Sequence, residues 1–279
     1  MIGEIILHYK ILENLGEGGM GVVYLAEDTK LKRQVAIKFL PLNISSNEEE
    51  RKRFEIEAQA AAALNHPNIA TIYSIEESDG QMFIVMEYID GKELKEIIEH
   101  KHVEAEYIQT LQMNEVINYA TQIAEGLEAA HKKGIIHRDI KSSNILITDE
   151  NKVKIMDFGL AKVDKSAHLT KVGTTIGTAA YMSPEQARGE EVDKRTDIWS
   201  FGIVLYEMLT GELPFKGDYD QAVIYSIMNS EPELIQISAK EKGSEIKQIV
   251  EKALRKNPEN RYQSMNDILK EFQKILKPQ

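Results

Sequence analysis

Short runs rich in Ile, Val and Tyr, separated by Gly, Asn and Asp, fill the first ninety residues of the chain: 9–15, 22–26, 34–40, 70–75 and 82–88. β-Branched and aromatic residues bounded by turn formers read as strands, so the pattern predicts a small, mostly antiparallel sheet. Between the third and fourth runs, residues 47–64 are filled with helix formers and are opened by Ser46 with Glu49 three positions on, a capping box. One helix is therefore expected to interrupt the sheet. Past Lys92 helical spacing takes over. Asn114 is placed to cap a helix whose apolar positions Val116, Ala120, Ile123, Leu127 and Ala130 recur every three or four residues, with Gly134 as its C′ stop. Further helices are predicted over 195–209, 220–228, 244–255 and 264–276, and Asp90-Gly91-Lys92 is the natural boundary. The pattern describes a two-lobed α+β protein, with residues 1–90 and 91–279 as its lobes and a ligand site expected in the cleft between them.

Composition narrows the classes. The 279 residues suffice for two sizeable cores, and the absence of cysteine removes disulfides and cysteine-ligated zinc. A net charge of −11 argues against a protein that coats nucleic acid or an anionic membrane, because polyanions are held by clustered Lys and Arg. No apolar stretch approaches the ~20 residues needed to cross a bilayer, and the start lacks a basic region leading into an apolar run. A cytoplasmic location is the expectation, either as a soluble protein or as the cytosolic domain of a longer membrane-anchored one.

Candidate chemistry begins at Gly16-Glu17-Gly18-Gly19-Met20-Gly21-Val22-Val23, a G-x-G-x-x-G-x-V pattern. Glycine at such positions lets backbone N–H groups approach phosphate oxygens without a Cβ in the way. A dinucleotide fingerprint needs the last glycine to open a helix, yet Val22-Val23-Tyr24-Leu25-Ala26 is a strand pattern. A Walker A loop needs Lys-Ser/Thr after Gly21. What remains is a flap between strands that folds over a nucleotide. The next strand carries Val35-Ala36-Ile37-Lys38, whose lysine could reach phosphates under the flap. On the interrupting helix Phe54, Ala58, Ala61 and Leu64 form the apolar stripe. Glu57 lies beside the stripe and is the carboxylate chosen as partner for Lys38, whereas Glu55 falls with Arg51 and Gln59 on a polar face.

After the long helix comes His137-Arg138-Asp139-Ile140-Lys141-Ser142-Ser143-Asn144, then an apolar run. In extended chain Asp139 and Lys141 point the same way, so a carboxylate and a cation can address one substrate. Further on, Met156-Asp157-Phe158-Gly159 ends another strand with an acid, an aromatic and a glycine.

In this order and at these separations, these elements are specific. From Tyr9 to Leu276 the sequence resembles the protein kinase family: glycine loop, Val-Ala-Ile-Lys strand, His-Arg-Asp loop with its Asn, Asp-Phe-Gly, and Ser183-Pro184-Glu185 in the Ala-Pro-Glu place. The stretch from Gly177 to Gln186 is most similar to bacterial Ser/Thr kinases of the eukaryotic-like type, and Lys141 and Gly177-Thr178 also resemble Ser/Thr specificity. The resemblance implies a two-lobed kinase fold that transfers the γ-phosphoryl group of ATP, with Mg²⁺ or Mn²⁺, to Ser/Thr hydroxyls of protein substrates. It makes Asp139 the base and Lys141 the cation facing the γ-phosphate. Asn144 and Asp157 become metal ligands, and Lys38, paired with Glu57, grips the α- and β-phosphates. Leu15, the loop from Gly16 to Val23, Ala36, Leu146, the gatekeeper Met86 and the backbone of Glu87 and Ile89 would enclose the adenine nucleotide. Asp197 would anchor the catalytic loop, and Glu185 with Arg261 would form an ion pair.

Arg138 beside Asp139 marks a kinase often switched by activation-loop phosphorylation, with Thr170, Thr174 and Thr175 as candidate autophosphorylation sites and Thr178 structural. Glu93 matches a position that selects basic residues in some members. Ser142 stands where proline is common, and residues 100–112 are longer and more polar than usual, either a flexible loop or a partner surface. A homodimer through the small lobe stays open, while no nucleic-acid partner and no membrane contact of this segment are expected. The rival readings are a pseudokinase-like nucleotide-binding interaction module and a small-molecule phosphotransferase; Lys38, Asp139, Asn144 and Asp157 are all present, against the first, and Gly177 to Glu185 argues against the second.

Overall fold

The computed structural model describes residues 1–18, 21–41, 48–103, 111–158, 178–233 and 242–277. Contacts divide the chain into two compact units. The first holds Met1–Asp90 with Asp157 and Phe158 from later in the chain; the second holds Gly91–Met156 and the described residues from Thr178 onward.

The first unit is built on a six-stranded antiparallel sheet in the order β1-β2-β3-β4-β6-β5. The strands are β1 (Ile5–Ile6), β2 (Tyr9–Gly18), β3 (Gly21–Asp28), β4 (Arg33–Phe39), β5 (Ile72–Ser78) and β6 (Gln81–Glu87). Side chains alternate across a strand, so Val35, Ile37 and Phe39 of β4 join Tyr9, Ile11, Ala26, Phe83 and Val85 in one core cluster. The intervening residues then face the other way, and register aligns them: Val23 opposite Lys38, Ala36 opposite Met86, Lys38 opposite Ile84. Gly21 has φ +113, and a Cβ there would meet the Phe39 carbonyl oxygen at 1.8 Å, so only glycine lets β3 start against β4. Helix α1 (Glu48–Ala62) buries Phe54, Ala58 and Ala61, the stripe read from its spacing.

In the second unit a small antiparallel sheet, β7 (Gly91–Glu93), β8 (Ile145–Thr148) and β9 (Val153–Ile155), lies beside seven helices among the described residues. These are α2 (Leu94–Val103), α3 (Met113–Lys132), α4 (Pro184–Ala187), α5 (Arg195–Thr210), α6 (Asp220–Asn229), α7 (Gly243–Ala253) and α8 (Met265–Leu276). β1, β7 and α2 went unread, since two- and three-residue strands are too short to show alternation. The cap of α3 also differs from expectation. Gln112, not Asn114, precedes its first turn, and the Gln112 N–H donates to Glu115 Oε2 at 2.9 Å. The helix stops where Gly134 takes φ +74. Helix α5 is buried from Thr196 to Leu209, as a helix apolar nearly all round must be, yet it carries Asp197 and Glu207 inward. Buried carboxylates need partners, and those partners build the site.

Candidate active site

In the first unit the buried Lys38 Nζ donates to Asp157 Oδ2 at 2.7 Å. Lys38 is delivered by β4 and Asp157 by the stretch just past β9. Asp157 takes φ +58, a conformation that costs an L residue energy and persists where the surroundings impose it. The ion pair recorded for Lys38 is thus with the later aspartate, while Glu57 stands half-buried on α1. Val23, Ala36 and Met86 share the sheet face of Lys38 through the register given above. Leu15, Gly16 and Glu17 are exposed at the end of β2, Val22 is half-buried, and the Gly16 N–H is held by Asn14 Oδ1 at 2.9 Å. The Glu87 N–H is given to the Thr71 carbonyl at 2.8 Å, so that peptide can offer a ligand only an acceptor; Ile89 is buried.

In the second unit, Asp139 Oδ2 receives Lys141 Nζ at 3.1 Å and Asn144 Nδ2 at 3.2 Å, and Asn144 Nδ2 also donates to the Asp139 carbonyl at 2.8 Å. The like-facing pair read from extended chain is therefore in contact. With Nδ2 spent on Asp139, Oδ1 is the Asn144 atom suited to a cation. Leu146 is half-buried on β8.

The loop is held through its backbone. Asp197 accepts from the N–H groups of His137 and Arg138, both at 2.8 Å, and from His131 Nε2 at 2.7 Å. Burial by itself would raise the Asp197 carboxyl; the His131 hydrogen bond, the neighbouring imidazoles and the N–H donors hold it below the usual carboxylate range. His137 Nδ1 accepts the Asp139 N–H at 3.3 Å, which puts the ring proton on Nε2, where it is donated to the Met156 carbonyl at 2.7 Å. Arg138 has φ +68, and its carbonyl receives Gln186 Nε2 at 2.9 Å. Glu185, after the expected pattern, forms a two-pronged pair with buried Arg261, both prongs at 2.8 Å.

Sequence reading passed over His131 and Gln186, whose only signals are proximity to the His-Arg-Asp loop and to Ser183-Pro184-Glu185. It set aside Ser142, which turns out to be fully buried and bonded to Tyr181 and Glu207. Gly19, Met20, Thr170, Thr174 and Thr175 lie outside the described residues, as do the side chains of Gly18 and Thr178 and residues 104–110.

Comparison with known proteins agrees with this geometry. The protein kinase domain family matches residues 9–272. A probable serine/threonine-protein kinase of Clostridium acetobutylicum is 42% identical over 99% of this chain and 41% of its own length. Serine/threonine-protein kinase PknB of Mycobacterium tuberculosis is 44% identical over 92% of this chain and, again, 41% of its own. The crystal structure of the Mycobacterium tuberculosis PknI kinase domain superposes with a TM-score of 0.76 at 24% identity, covering 99% of both chains, and so speaks to the fold. The chain belongs to the protein kinase domain family, and its fold is the protein kinase fold. It spans about two fifths of the length of the curated relatives it matches. Among the described residues no helix is long and apolar enough to cross a membrane.

Proposed function

We infer that this chain transfers the γ-phosphoryl group of ATP to serine or threonine hydroxyls of proteins. The observation that carries the reading is the retained polar set: Lys38 paired with Asp157, and Asp139 in contact with both Lys141 and Asn144. Phosphoryl transfer asks a protein to position two reactants and to neutralise charge on the transferring group. Lys38, kept beside a carboxylate, is a cation for the α- and β-phosphates, and Glu57 is its further partner from α1. Asp139 orients the substrate hydroxyl and accepts its proton; Lys141 offsets charge on the γ-phosphate. The oxygen donors of Asn144 and Asp157 suit a hard divalent cation. When bound, Mg²⁺ or Mn²⁺ supplies charge neutralisation on the phosphates.

Autophosphorylation at Thr170, Thr174 or Thr175, read by Arg138, belongs to the same proposal, as does selection of basic side chains by Glu93. Burial and the charge of Glu96 raise the Glu93 carboxyl, and a substrate cation would relieve that cost.

With labelled ATP and Mg²⁺, alone and with a generic basic protein, the wild-type chain should label protein. Lys38→Met should cut that labelling by ~10²-fold, the scale for one preorganised charge-stabilising donor. Nucleotide binding without protein labelling would favour an interaction module, and label in small molecules alone would favour the phosphotransferase.

Gln186 offers a finer test. Its Oε1 accepts the Ser183 N–H at 3.1 Å while Nε2 donates to Arg138. Gln186→Glu keeps the acceptor for Ser183 and sets a carboxylate oxygen against the Arg138 carbonyl. Steady-state assays should give kcat about tenfold lower with KM for ATP unchanged.

A further inference from the structure

Ser142, Tyr181 and Glu207 come from three separate stretches: the catalytic loop, the short turn Thr178–Tyr181 and helix α5. All three are buried. Their oxygens close a ring, with Ser142 Oγ to Tyr181 OH at 2.9 Å, Ser142 Oγ to Glu207 Oε1 at 3.1 Å and Tyr181 OH to Glu207 Oε2 at 2.8 Å. Three oxygen–oxygen contacts need three hydrogens. The serine and tyrosine hydroxyls bring one each, and an ionised carboxylate brings none. With Glu207 charged, one side of the ring would therefore set lone pairs against lone pairs away from water. With Glu207 as the acid, its own O–H supplies the missing hydrogen and every contact is satisfied.

The surroundings push the same way. Burial dominates and raises the Glu207 carboxyl to about 7, against the two hydroxyl bonds and Lys95, with Glu99 adding to the rise. Those two charges sit on α2; the titratable group in contact is Tyr181, whose hydroxyl is pushed far up by burial and by Glu207, so it keeps its proton. Ser142 is also the direct chain neighbour of Lys141 and opens the 3-10 turn that ends in Asn144. The ring therefore ties the loop carrying Asp139, Lys141 and Asn144 to the turn ending at Tyr181.

We propose that Ser142, Tyr181 and protonated Glu207 form a positioning ring that holds the catalytic loop, and that phosphoryl transfer declines as Glu207 loses its proton. The proposal rests on the kinase reading above. The ring is satisfied while Glu207 is protonated and breaks as pH rises through its native pKa, so the loss of turnover lies on the alkaline side.

The experiment is a kcat–pH profile of the protein with a basic protein substrate, for wild type, Glu207→Gln, Ser142→Ala and Tyr181→Phe, with KM for ATP and thermal midpoint at each pH. Wild type should lose kcat on the alkaline side at unchanged KM. Glu207→Gln, which cannot ionise, should remove that limb, and Ser142→Ala should lower the acid-side plateau about tenfold, the scale of one buried hydrogen bond left unmade. A wild-type profile flat in this range, or a limb that survives Glu207→Gln, overturns the proposal. The carbonyl stretch of a protonated carboxyl in the infrared, present in wild type and lost in Glu207→Gln, reads the protonation without any turnover. Its absence at neutral pH also overturns the ring, whereas its presence in a protein that labels nothing overturns the kinase reading instead.

Discussion

Asp139→Asn will lower phosphoryl transfer to protein by at least ~10²-fold and leave the thermal midpoint close to wild type. The side chains have the same shape, and the loop around the site is fixed mainly by backbone bonds that the substitution leaves alone: His137 and Arg138 N–H to Asp197, and the Arg138 carbonyl to Gln186. What changes is the oxygen that Lys141 and Asn144 now address at 3.1 and 3.2 Å. As a carboxylate it can take a proton from a hydroxyl in the transition state; as an amide oxygen it is too weak a base. General-base catalysis contributes ~10²–10⁴-fold, which sets the floor of the expected loss. Single-turnover labelling against a basic protein measures it directly. Retention of more than about a tenth of the wild-type rate would remove Asp139 from the role of base.

The largest expected effect on stability belongs to Arg261. Its side chain is fully buried and carries five N–H donors, all placed. Nε donates to the Arg255 carbonyl at 2.7 Å; Nη1 to Glu185 Oε1 at 2.8 Å and the Arg195 carbonyl at 3.0 Å; Nη2 to Glu185 Oε2 at 2.8 Å and the Lys256 carbonyl at 3.0 Å. Arg261→Met removes every one of these and leaves Glu185 as a buried charge with only the Thr196 hydroxyl still on it, at 2.8 Å. Breaking such a pair from one side costs ~3–5 kcal/mol, and at roughly 2–4 °C per kcal/mol for a large domain the melting temperature should fall by ~10 °C. Replacing both partners, Arg261→Met with Glu185→Leu, should recover much of the loss, because no charge is then left uncompensated. A double variant no more stable than Arg261→Met would show that the cost lies in the three backbone carbonyls and not in the charge.

The pH dependence of this pair has a definite sign. Burial alone would raise the Glu185 carboxyl, but the Arg261 fork and the Thr196 hydroxyl hold it below its ordinary value. A carboxylate depressed on folding contributes stability that is present above its unfolded pKa and lost as pH falls through the native one. Acid titration should therefore narrow the gap between wild type and Arg261→Met.

Chemistry that is local along the chain was legible in the sequence. Asp139, Lys141 and Asn144 fall within six residues, and alternation alone places the carboxylate and the ammonium on one side; in the folded protein they touch. The apolar stripe of α1 and the spans of α5, α6 and α8 likewise follow from periodicities of two and 3.6, which burial enforces residue by residue. The α3 cap failed because Asn114 is the better capping residue in isolation, yet Gln112 is the position from which Glu115 can reach back to the chain.

Contacts across long separations were not legible. Lys38 meets Asp157 119 positions on, and Gln186 meets Arg138 across 48. No local rule ranks one carboxylate above another at such distances, which is why Glu57 and Asp157 could not be told apart as partners of the lysine. The sequence by itself determined the fold class, the strand and helix spans and the polar groups available for phosphoryl transfer, because these depend on local periodicity and residue type. Only the tertiary structure decided which buried acids stay charged. Asp197 and Glu185 meet N–H donors and are held low, while Glu207 meets two hydroxyls that cannot complete its ring without a proton of its own. Three inward carboxylates look alike along the chain and differ by the hydrogens that folding brings to them.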